Sequence, residues 1–260
     1  ITFADFAAVR AVSDPQLSPD GRQVLYAVRT TDVEANRRTM RTFLIPAAGG
    51  RTRAFPDSAT AAGEARWSPD GRRVAYTAGG QLWVADADGA NARQLTRLNG
   101  GAAGPVWSPA GDAVVFTSTV YPACTGAAKP NGFDDACNAR EDSVRAASKV
   151  RAHVADRLMY RHWNTWDEGT RQHLFAVTLG GGPAVVRDLV PGAPYDVPPG
   201  PFGGSEGYAV SPDGREVAFT AKLPTRDEAW STNVEVWTVP MGGSTAPALV
   251  TRNLPGADQN

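Results

Sequence analysis

Residues 67–77 read WSPDGRRVAYT and are followed at residues 81–86 by QLWVAD. The Ser-Pro-Asp-Gly segment is a turn signal, because proline presets φ, aspartate bonds to its own backbone and glycine accepts a positive φ. After this turn, the apolar residues from Val74 to Val84 alternate with smaller or polar ones, a period of two that is typical of half-buried strands. The stretch therefore predicts a β-hairpin.

The same turn recurs before three other strand-like runs, as LSPDG at 17–21, WSPAG at 107–111 and VSPDG at 210–214. Repeats of about 40–50 residues, each with four short strands, are typical of β-propeller blades. The sequence thus predicts an all-β fold, a β-propeller with about four blades of a larger propeller and one helical insertion. The expected segments are an N-terminal helical segment at 1–15, blades at about 16–60, 61–103, 104–190 and 205–260, and the insertion at 123–168.

Two helices are expected within this β-rich chain. Thr2 is the predicted N-cap of a short amphipathic helix that ends at Asp14. In the insertion, Asn138 and Glu141 resemble a capping box, and apolar residues recur at spacings of three and four from 144 to 158. This pattern predicts a helix of about 15–18 residues.

Composition excludes several classes of partner. The net charge is −1 and 20% of the residues are charged, which leaves no basic footprint for nucleic acid or for anionic lipid. No apolar run approaches the ~20 residues of a membrane span. The three histidines show no i, i+4 pairing of the kind that binds zinc. We therefore expect no nucleic-acid or membrane partner, no metal and no other cofactor.

Cys124 and Cys137 are the two cysteines, and both lie in a loop rich in Gly, Pro and Asn. They are either two free thiols or a disulfide, and we favour the disulfide. Closing a loop of this size would add about 3 kcal/mol in the chain-entropy model. A disulfide implies an oxidising compartment, so the expected localisation is periplasmic or secreted.

Three stretches carry a family resemblance: VSDPQLSPDG at 12–21, YRHWNTWDEG at 160–169 and AWSTN at 229–233. With the turn repeats, which TolB-like propellers share, they resemble the N-terminal propeller of prolyl oligopeptidase-family serine peptidases. The nearest branch is that of acylaminoacyl peptidases and dipeptidyl peptidase 5-type enzymes. The resemblance implies a propeller that restricts access to short peptides, holds the substrate's N-terminal side and caps a C-terminal α/β-hydrolase domain carrying Ser, Asp and His.

These 260 residues contain no such hydrolase domain, so we expect a fragment with no catalytic residue of its own. The end of the chain supports this expectation, because residues 249–254 match residues 94–98, which close the second blade, and no further turn repeat follows. The expected partners are a short peptide substrate and the hydrolase domain of the same protein. Homo-oligomerisation is left open, as is the choice among dipeptidyl, acylaminoacyl and endo-acting specificity.

The aromatic segment before residue 169 is the best candidate for substrate binding. Its tryptophans, including Trp166, can form apolar walls, and one of its carboxylates can pair with a peptide α-ammonium, since an unpaired charge in a closed cavity is costly. The alternative is that the tryptophans pack between blades and that residues 167–169 are only a turn. Glu206 and Glu228 are fallback carboxylates, and Trp230 and Asn233 are each either cavity-lining or structural. The candidate substrate-binding residues are Arg161, Trp163, Asp167, Glu168, Glu206 and Trp230.

Residues 203–207 read GGSEG and fit the G-x-S-x-G nucleophile elbow. An elbow requires a strand-to-helix turn with Asp and His following in the chain, but no histidine follows His173. We therefore interpret the motif as an inter-blade loop. His153 is expected on the exposed face of the insertion helix, and His162 is a candidate to face the cavity. A surface or structural role is favoured for all three histidines.

Two functions from different classes remain. The first is the propeller part of a serine exopeptidase or oligopeptidase that gates access and binds the substrate's N-terminal side. The alternative is a non-catalytic, TolB-like propeller that acts as a protein-interaction module. The insertion with its Trp-rich end favours the first, because a plain scaffold does not need it.

Overall fold

The computed structural model describes residues 1–150, 152–155, 159–180, 182–200, 202–225 and 230–251. Within these residues the chain forms four antiparallel sheets of four strands, one two-stranded hairpin and two α-helices. The contacts divide the chain into two compact units, Ile1–Arg97 and Leu98–Asn260, each with two of the four-stranded sheets. Neither described helix is long and apolar enough to cross a membrane.

The unit Ile1–Arg97 begins with helix α1 (Phe3–Ala7) and continues with two meanders. The first sheet consists of β1 (Ala11–Leu17), β2 (Gln23–Asp32), β3 (Arg37–Pro46) and β4 (Arg53–Phe55). The second consists of β5 (Gly63–Trp67), β6 (Arg73–Ala78), β7 (Gln81–Asp86) and β8 (Arg93–Gln94). In both sheets, strands that are consecutive in the chain are hydrogen-bonded neighbours, which is the arrangement of a propeller blade.

The turn at residues 67–71 has the chemistry that its sequence predicts. Ser68 Oγ donates to Asp70 Oδ1 at 2.6 Å and accepts from the Arg73 backbone N–H at 2.9 Å. Gly71 has a φ of +68°, a conformation that favours glycine. β5 and β6 leave this turn in antiparallel register, with Trp67 opposite Val74, so the predicted hairpin is confirmed.

The core of this unit lies where the two meanders pack on each other. Leu25 and Leu44 from the first sheet join Val74 and Tyr76 from the second in one buried cluster, together with Phe55. Phe55 and Tyr76 meet edge to face, with ring centroids 5.7 Å apart. Each large side chain buried here contributes roughly 1.5–3 kcal/mol, so this interface is a main source of the unit's stability.

The unit Leu98–Asn260 contains the remaining strands. They are β9 (Ala103–Trp107), β10 (Ala113–Val120), β11 (Arg161–His162), β12 (Thr165–Trp166), β13 (Arg171–Thr178), β14 (Val185–Asp188), β15 (Tyr208–Val210), β16 (Glu216–Ala221), β17 (Glu235–Pro240) and β18 (Ala248–Leu249). One sheet has the order β14-β13-β10-β9 and the other β15-β16-β17-β18, while β11 and β12 form a separate hairpin. Val115 and Leu174 pack with Val217 and Phe219 in a core shared by the two larger sheets. The predicted all-β propeller fold with one helical insertion is confirmed.

The predicted insertion lies inside the connection between β10 and β13, residues 121–170, which we call the β10–β13 connection. Its two ends lie side by side, because Val120 at the end of β10 pairs directly with Arg171 at the start of β13. Its helix α2 (Asp135–Ala147) is linked to the end of β10 by the Cys124–Cys137 disulfide, whose Cα atoms are 5.5 Å apart. The predicted disulfide is thus present.

The N-terminal helix is shorter than predicted. Thr2 and Asp5 form a reciprocal capping box, so the predicted N-cap is confirmed, but the helix ends at Ala7 instead of Asp14. Residues 11–17 are strand β1, in which Val12 pairs with Val28. The apolar spacing that suggested helix is overridden, because pairing with β2 satisfies the backbone hydrogen bonds of this segment.

The insertion helix also differs from its prediction at both ends. It begins at Asp135, because the Asp134 side chain caps it by accepting from Cys137 N at 3.0 Å. Asn138, the predicted cap, is instead buried and accepts from Tyr121 N at 3.0 Å. The helix ends at Ala147, and Val150 and Val154 lie exposed beyond it, since no core receives the apolar residues that continued the pattern. Leu158 lies outside the described residues.

Candidate functional site

The Ser-Pro-Asp-Gly turns, and the Ser-Pro-Ala-Gly turn of the third repeat, join the first and second strands of the four-stranded sheets. The link between the second and third strands therefore emerges at the opposite end of each sheet. In the sheet β14-β13-β10-β9 that link is the β10–β13 connection. It folds into a pocket of about 440 Å³. Cavities that hold small ligands have volumes of about 300–1,000 Å³, so this one is large enough for one or two amino-acid residues. The residues that carry its chemistry are Arg145, His153, Tyr160, Trp166, Asp167 and Glu168.

Trp166 is the centre of one side of the pocket, which we call the aromatic wall. The imidazole of His153 stacks on its indole with centroids 4.2 Å apart and planes at 8°. Tyr160 stacks at 6.0 Å, and the Arg161 guanidinium carbon lies 5.7 Å from the Trp166 ring centroid, within cation–π range. Trp166 is 40% exposed, so part of this wall remains open to a ligand side chain.

Glu168 lies beside this wall and is paired with a cation from α2. Arg145 forms an ion pair with the Glu168 carboxylate and donates from Nη1 to the Glu168 carbonyl oxygen at 2.6 Å. His153 Nδ1 lies 3.7 Å from Glu168 Oε1. The Arg145 and Glu168 side chains are 48% and 39% exposed, so a ligand can reach both.

Asp167 is held in a different manner, against strand β13. Its two carboxylate oxygens accept from Nη1 and Nη2 of Arg171 at 3.1 and 3.3 Å, and Oδ1 also accepts from Gly169 N at 2.8 Å. The Arg171 side chain is only 10% exposed and donates from Nε to the Pro194 carbonyl oxygen. Asp167 thus anchors the pocket to the sheet.

Asp196 lies close to this anchor and is partly buried. Its Oδ1 accepts from Gln172 N at 2.7 Å. Burial raises the pKa of the Asp196 carboxyl above its usual range, and this outweighs the lowering by the Gln172 hydrogen bond and by the charge of Arg171. The Asp167–Arg171 pair therefore has a neighbouring carboxyl whose charged form is disfavoured by burial.

Comparison with known proteins shows which proteins this chain is similar to. No protein-family model matches the chain. Dipeptidyl-peptidase 5 of Porphyromonas endodontalis is 30% identical over 227 residues, which are 85% of this chain and 31% of that protein. Dipeptidyl-peptidase 5 of Porphyromonas gingivalis is 30% identical over 237 residues, 89% of this chain and 33% of that protein.

The fold agrees with a solved structure of an acylaminoacyl peptidase in complex with Z-Gly-Gly-Phe-chloromethyl ketone. The TM-score is 0.60 at 13% identity, over 95% of this chain and 33% of that chain. This chain is a relative of the N-terminal propeller portion of dipeptidyl-peptidase 5. It spans about a third of the length of the curated relatives that it matches.

Not all the predicted substrate-binding residues of this propeller portion lie at the pocket. Asp167 and Glu168 line it, and Arg161 contacts the aromatic wall. Trp163 is in the turn between β11 and β12 and is 80% exposed, and its ring centroid lies 6.4 Å from that of Phe202 in an edge-to-face arrangement. The alternative interpretation, in which the tryptophans pack between blades, is therefore wrong for Trp163.

The remaining predicted residues lie in other connections. Glu206 accepts from Gly204 N at 2.8 Å within a 3-10 turn at Ser205–Gly207, and Trp230 is 81% exposed. Neither is among the residues that line the pocket. Asn233 Nδ2 donates to Glu235 Oε1 at 2.7 Å at the start of β17, a structural contact. Glu228 lies outside the described residues.

Ser205 does not have the surroundings of a nucleophile elbow. It opens the 3-10 turn at Ser205–Gly207 that leads directly into strand β15, whereas an elbow serine follows a strand and precedes a helix. The inter-blade-loop interpretation of residues 203–207 agrees with this placement. Among the described residues, no group of three or more His, Cys, Asp or Glu side chains is arranged to hold a metal ion.

Two histidines of the propeller portion have defined surroundings. His173 is fully buried, with Nδ1 2.8 Å from Asp188 Oδ2 and Nε2 3.0 Å from the Ala193 carbonyl oxygen, so its predicted structural role is confirmed. His153 was expected on the insertion helix, and this is wrong: it lies beyond the end of α2, on the aromatic wall. The side chain of His162 lies outside the described part of the structure.

Sequence reasoning missed Arg145, the pocket role of His153 and Tyr160. Tyr160 lies next to the aromatic segment, so its neighbourhood was a usable signal. Arg145 is one of two arginines in α2, with Arg140, and nothing in its local sequence distinguishes it. Only the packing of α2 against the end of the β10–β13 connection brings it to Glu168.

Proposed function

We propose that this chain is the propeller part of a serine exopeptidase or oligopeptidase that cleaves short peptides, of the dipeptidyl or acylaminoacyl peptidase type. In this proposal the propeller gates access and holds the N-terminal side of the substrate. The relationship to dipeptidyl-peptidase 5 over 85% of the chain supports the peptidase context. Peptide bond cleavage itself is assigned to an α/β-hydrolase domain of the same protein, with a Ser-His-Asp triad.

One observation carries the assignment of peptide binding to this chain: an aromatic wall and an ion-paired carboxylate share one pocket. A peptide residue packed on Trp166 gains apolar burial and ring contact. The same residue places its N-terminal group within reach of Glu168 and Arg145, which both remain half exposed. The pocket thus joins apolar contact with polar recognition, the combination that ligand sites use for affinity and orientation.

The proposed localisation is periplasmic or secreted. The Cys124–Cys137 disulfide supports it, because disulfides persist in oxidising compartments and are rare in the reducing cytosol.

Calorimetric titration of the chain with glycyl-phenylalaninamide tests peptide binding at this pocket. We expect Trp166→Ala to weaken binding about five- to tenfold, since a buried aromatic contact is worth about 1–1.5 kcal/mol. Trp163→Ala is the matched control, because this tryptophan belongs to the same hairpin and lies outside the pocket. The affinity of the Trp163→Ala chain for the peptide should stay within about twofold of that of the unmodified chain. Equal affinities for all three proteins would contradict the proposal.

A second experiment tests the serine peptidase assignment on the full-length protein. A fluorophosphonate probe reacts with an activated serine, so we expect one covalent adduct, and mass mapping should place it outside residues 1–260. A protein that hydrolyses peptides without taking the probe would contradict the serine type.

A further inference from the structure

Within the residues that the structure describes, the pocket holds carboxylates that are already paired before a ligand arrives. Its two carboxylates, Asp167 and Glu168, each face an arginine: Arg171 binds Asp167 with two hydrogen bonds, and Arg145 pairs with Glu168. The Asp167 pair is largely shielded, whereas the Glu168 pair is half exposed. Glu168 is therefore the carboxylate that a ligand can approach, and it is approached together with its arginine.

Helix α2, which positions Arg145 beside Glu168, is held by contacts at both of its ends. Arg145 belongs to the last turn of α2, whose first turn is tied down by the Cys124–Cys137 disulfide. The Asp135 carboxylate accepts from Asn99 N, which attaches the same turn to the segment before β9. At its own end, Arg145 contacts both the carboxylate and the carbonyl oxygen of Glu168. The guanidinium is thus held on Glu168 by two contacts and a fixed helix.

This pairing changes which peptide ends the pocket can distinguish. A carboxylate alone would favour a free α-ammonium over an uncharged end, because the Coulomb attraction acts on the charged form only. With Arg145 in contact, an incoming ammonium meets an attraction from Glu168 and a repulsion from the guanidinium that nearly cancel. An N-acylated end loses nothing at this neutral pair, and its acyl oxygen can accept from the guanidinium.

We infer that Arg145 is a specificity-determining residue: by neutralising Glu168, it removes selection for a charged peptide N-terminus, so the pocket accepts N-acylated and free ends alike. This inference rests on the proposed binding of the substrate's N-terminal side. Arg145 sets the charge of the site, and the aromatic wall supplies the affinity common to both kinds of ligand.

The test compares two peptides that differ only in N-terminal charge, glycyl-phenylalaninamide and N-acetyl-glycyl-phenylalaninamide. For the unmodified chain at pH 7.0, calorimetry should give dissociation constants within about threefold of each other. Arg145→Met uncovers the anion and should shift the ratio at least about tenfold toward the free peptide. Glu168→Gln leaves the cation alone and should shift it by a similar factor toward the acetylated peptide. The double variant should return to the ratio of the unmodified chain.

Arg140→Met is the control on the same helix, because Arg140 is 67% exposed and pairs with Asp134, away from the pocket. It should leave the ratio unchanged, and Arg145→Lys, which keeps the charge, should leave it close to that of the unmodified chain. If both peptides bind but neither Arg145→Met nor Glu168→Gln changes the ratio, the inference fails and the proposed function stands. A preference of the unmodified chain above about tenfold for the free peptide also overturns it. If neither peptide binds the unmodified chain or any variant, the proposed function fails as well.

Discussion

Ser108 donates a hydrogen bond to Asp112 Oδ1 at 2.7 Å, in the one turn repeat where alanine stands at the aspartate position. In the second repeat the acceptor is Asp70, two residues after its serine, at 2.6 Å. In both repeats the serine oxygen also accepts from a backbone N–H five residues on, at Ala113 or Arg73. Asp112 therefore restores from the far side of the turn the contact that Ala110 cannot make.

Because Asp112 takes the role that an aspartate at position 110 would have, we expect that restoring this aspartate can compensate for the loss of Asp112. Asp112→Ala should destabilise the chain by about 1–3 kcal/mol, because the hydroxyl of Ser108, which is buried, loses its acceptor. Adding Ala110→Asp should recover most of that loss by restoring the arrangement of the other repeats. Urea unfolding of both variants measures the difference. A double variant no more stable than Asp112→Ala would show that the two positions are not equivalent.

The disulfide should be important for both stability and binding. Replacing Cys124 and Cys137 together by alanine should lower the free energy of unfolding by about 3 kcal/mol, since their separation of 13 residues closes a short loop. The ratio of peptide affinities should shift toward the free peptide, as for Arg145→Met, because α2 would no longer hold Arg145 at Glu168. Thermal unfolding with and without dithiothreitol provides the measurement. The reductant should lower Tm in the unmodified chain and leave the double variant unaffected.

The contacts between Arg171 and Asp167 should contribute to the stability of the folded chain. Arg171→Met removes two hydrogen bonds to Asp167 and one to Pro194, and should destabilise the chain by roughly 1–3 kcal/mol. Arg215→Met is the matched control: this arginine is 85% exposed and lies 3.8 Å from its aspartate, so the change should stay within about 0.5 kcal/mol. Chemical denaturation distinguishes them, and equal effects would argue against an anchoring role. Adding Asp167→Asn to Arg171→Met should recover part of the loss.

Asp196 should make stability depend on pH in an unusual direction. Its pKa is raised in the folded chain, chiefly by burial, so the folded state binds the proton more tightly than the unfolded state. The contribution of this carboxyl to stability is thus fully present below the unfolded value of about 3.8 and is lost as pH rises through the raised folded pKa. Asp196→Asn keeps an oxygen to accept from Gln172 N and should be the more stable protein at pH 7.

Thermal unfolding at several pH values measures this effect. Each kcal/mol corresponds to about 2–4 °C in Tm for a chain of this length. The gain from Asp196→Asn should vanish below about pH 3.8, where the carboxyl is protonated in both states. A gain that is the same at every pH would show that the titration of Asp196 is not its cause.

The ends of the two helices show which helix boundaries the sequence patterns predict correctly and which they do not. Thr2 is correctly recognised as a cap because its hydroxyl oxygen accepts from the backbone N–H of Asp5, a contact within three residues. The same spacing arguments wrongly extend α1 into β1 and α2 beyond Ala147, because apolar periodicity does not show whether the tertiary structure offers a core for those residues to pack against. Val12 and Val154 are both exposed, so neither belongs to the buried helix face that the pattern suggested.

The sequence by itself determined the turns, the alternating strands and the propeller class, because a Ser-Pro-Asp-Gly turn and the strands beside it depend on interactions within a few residues. It also indicated the aromatic segment that ends at Glu168. The tertiary structure alone decided the charge of the pocket. Arg145 and Glu168 are 23 residues apart, and they meet because a capped helix and a disulfide carry the guanidinium there. Such a pairing depends on how a helix packs against a distant segment of the chain, so it cannot be predicted from the residues next to either partner.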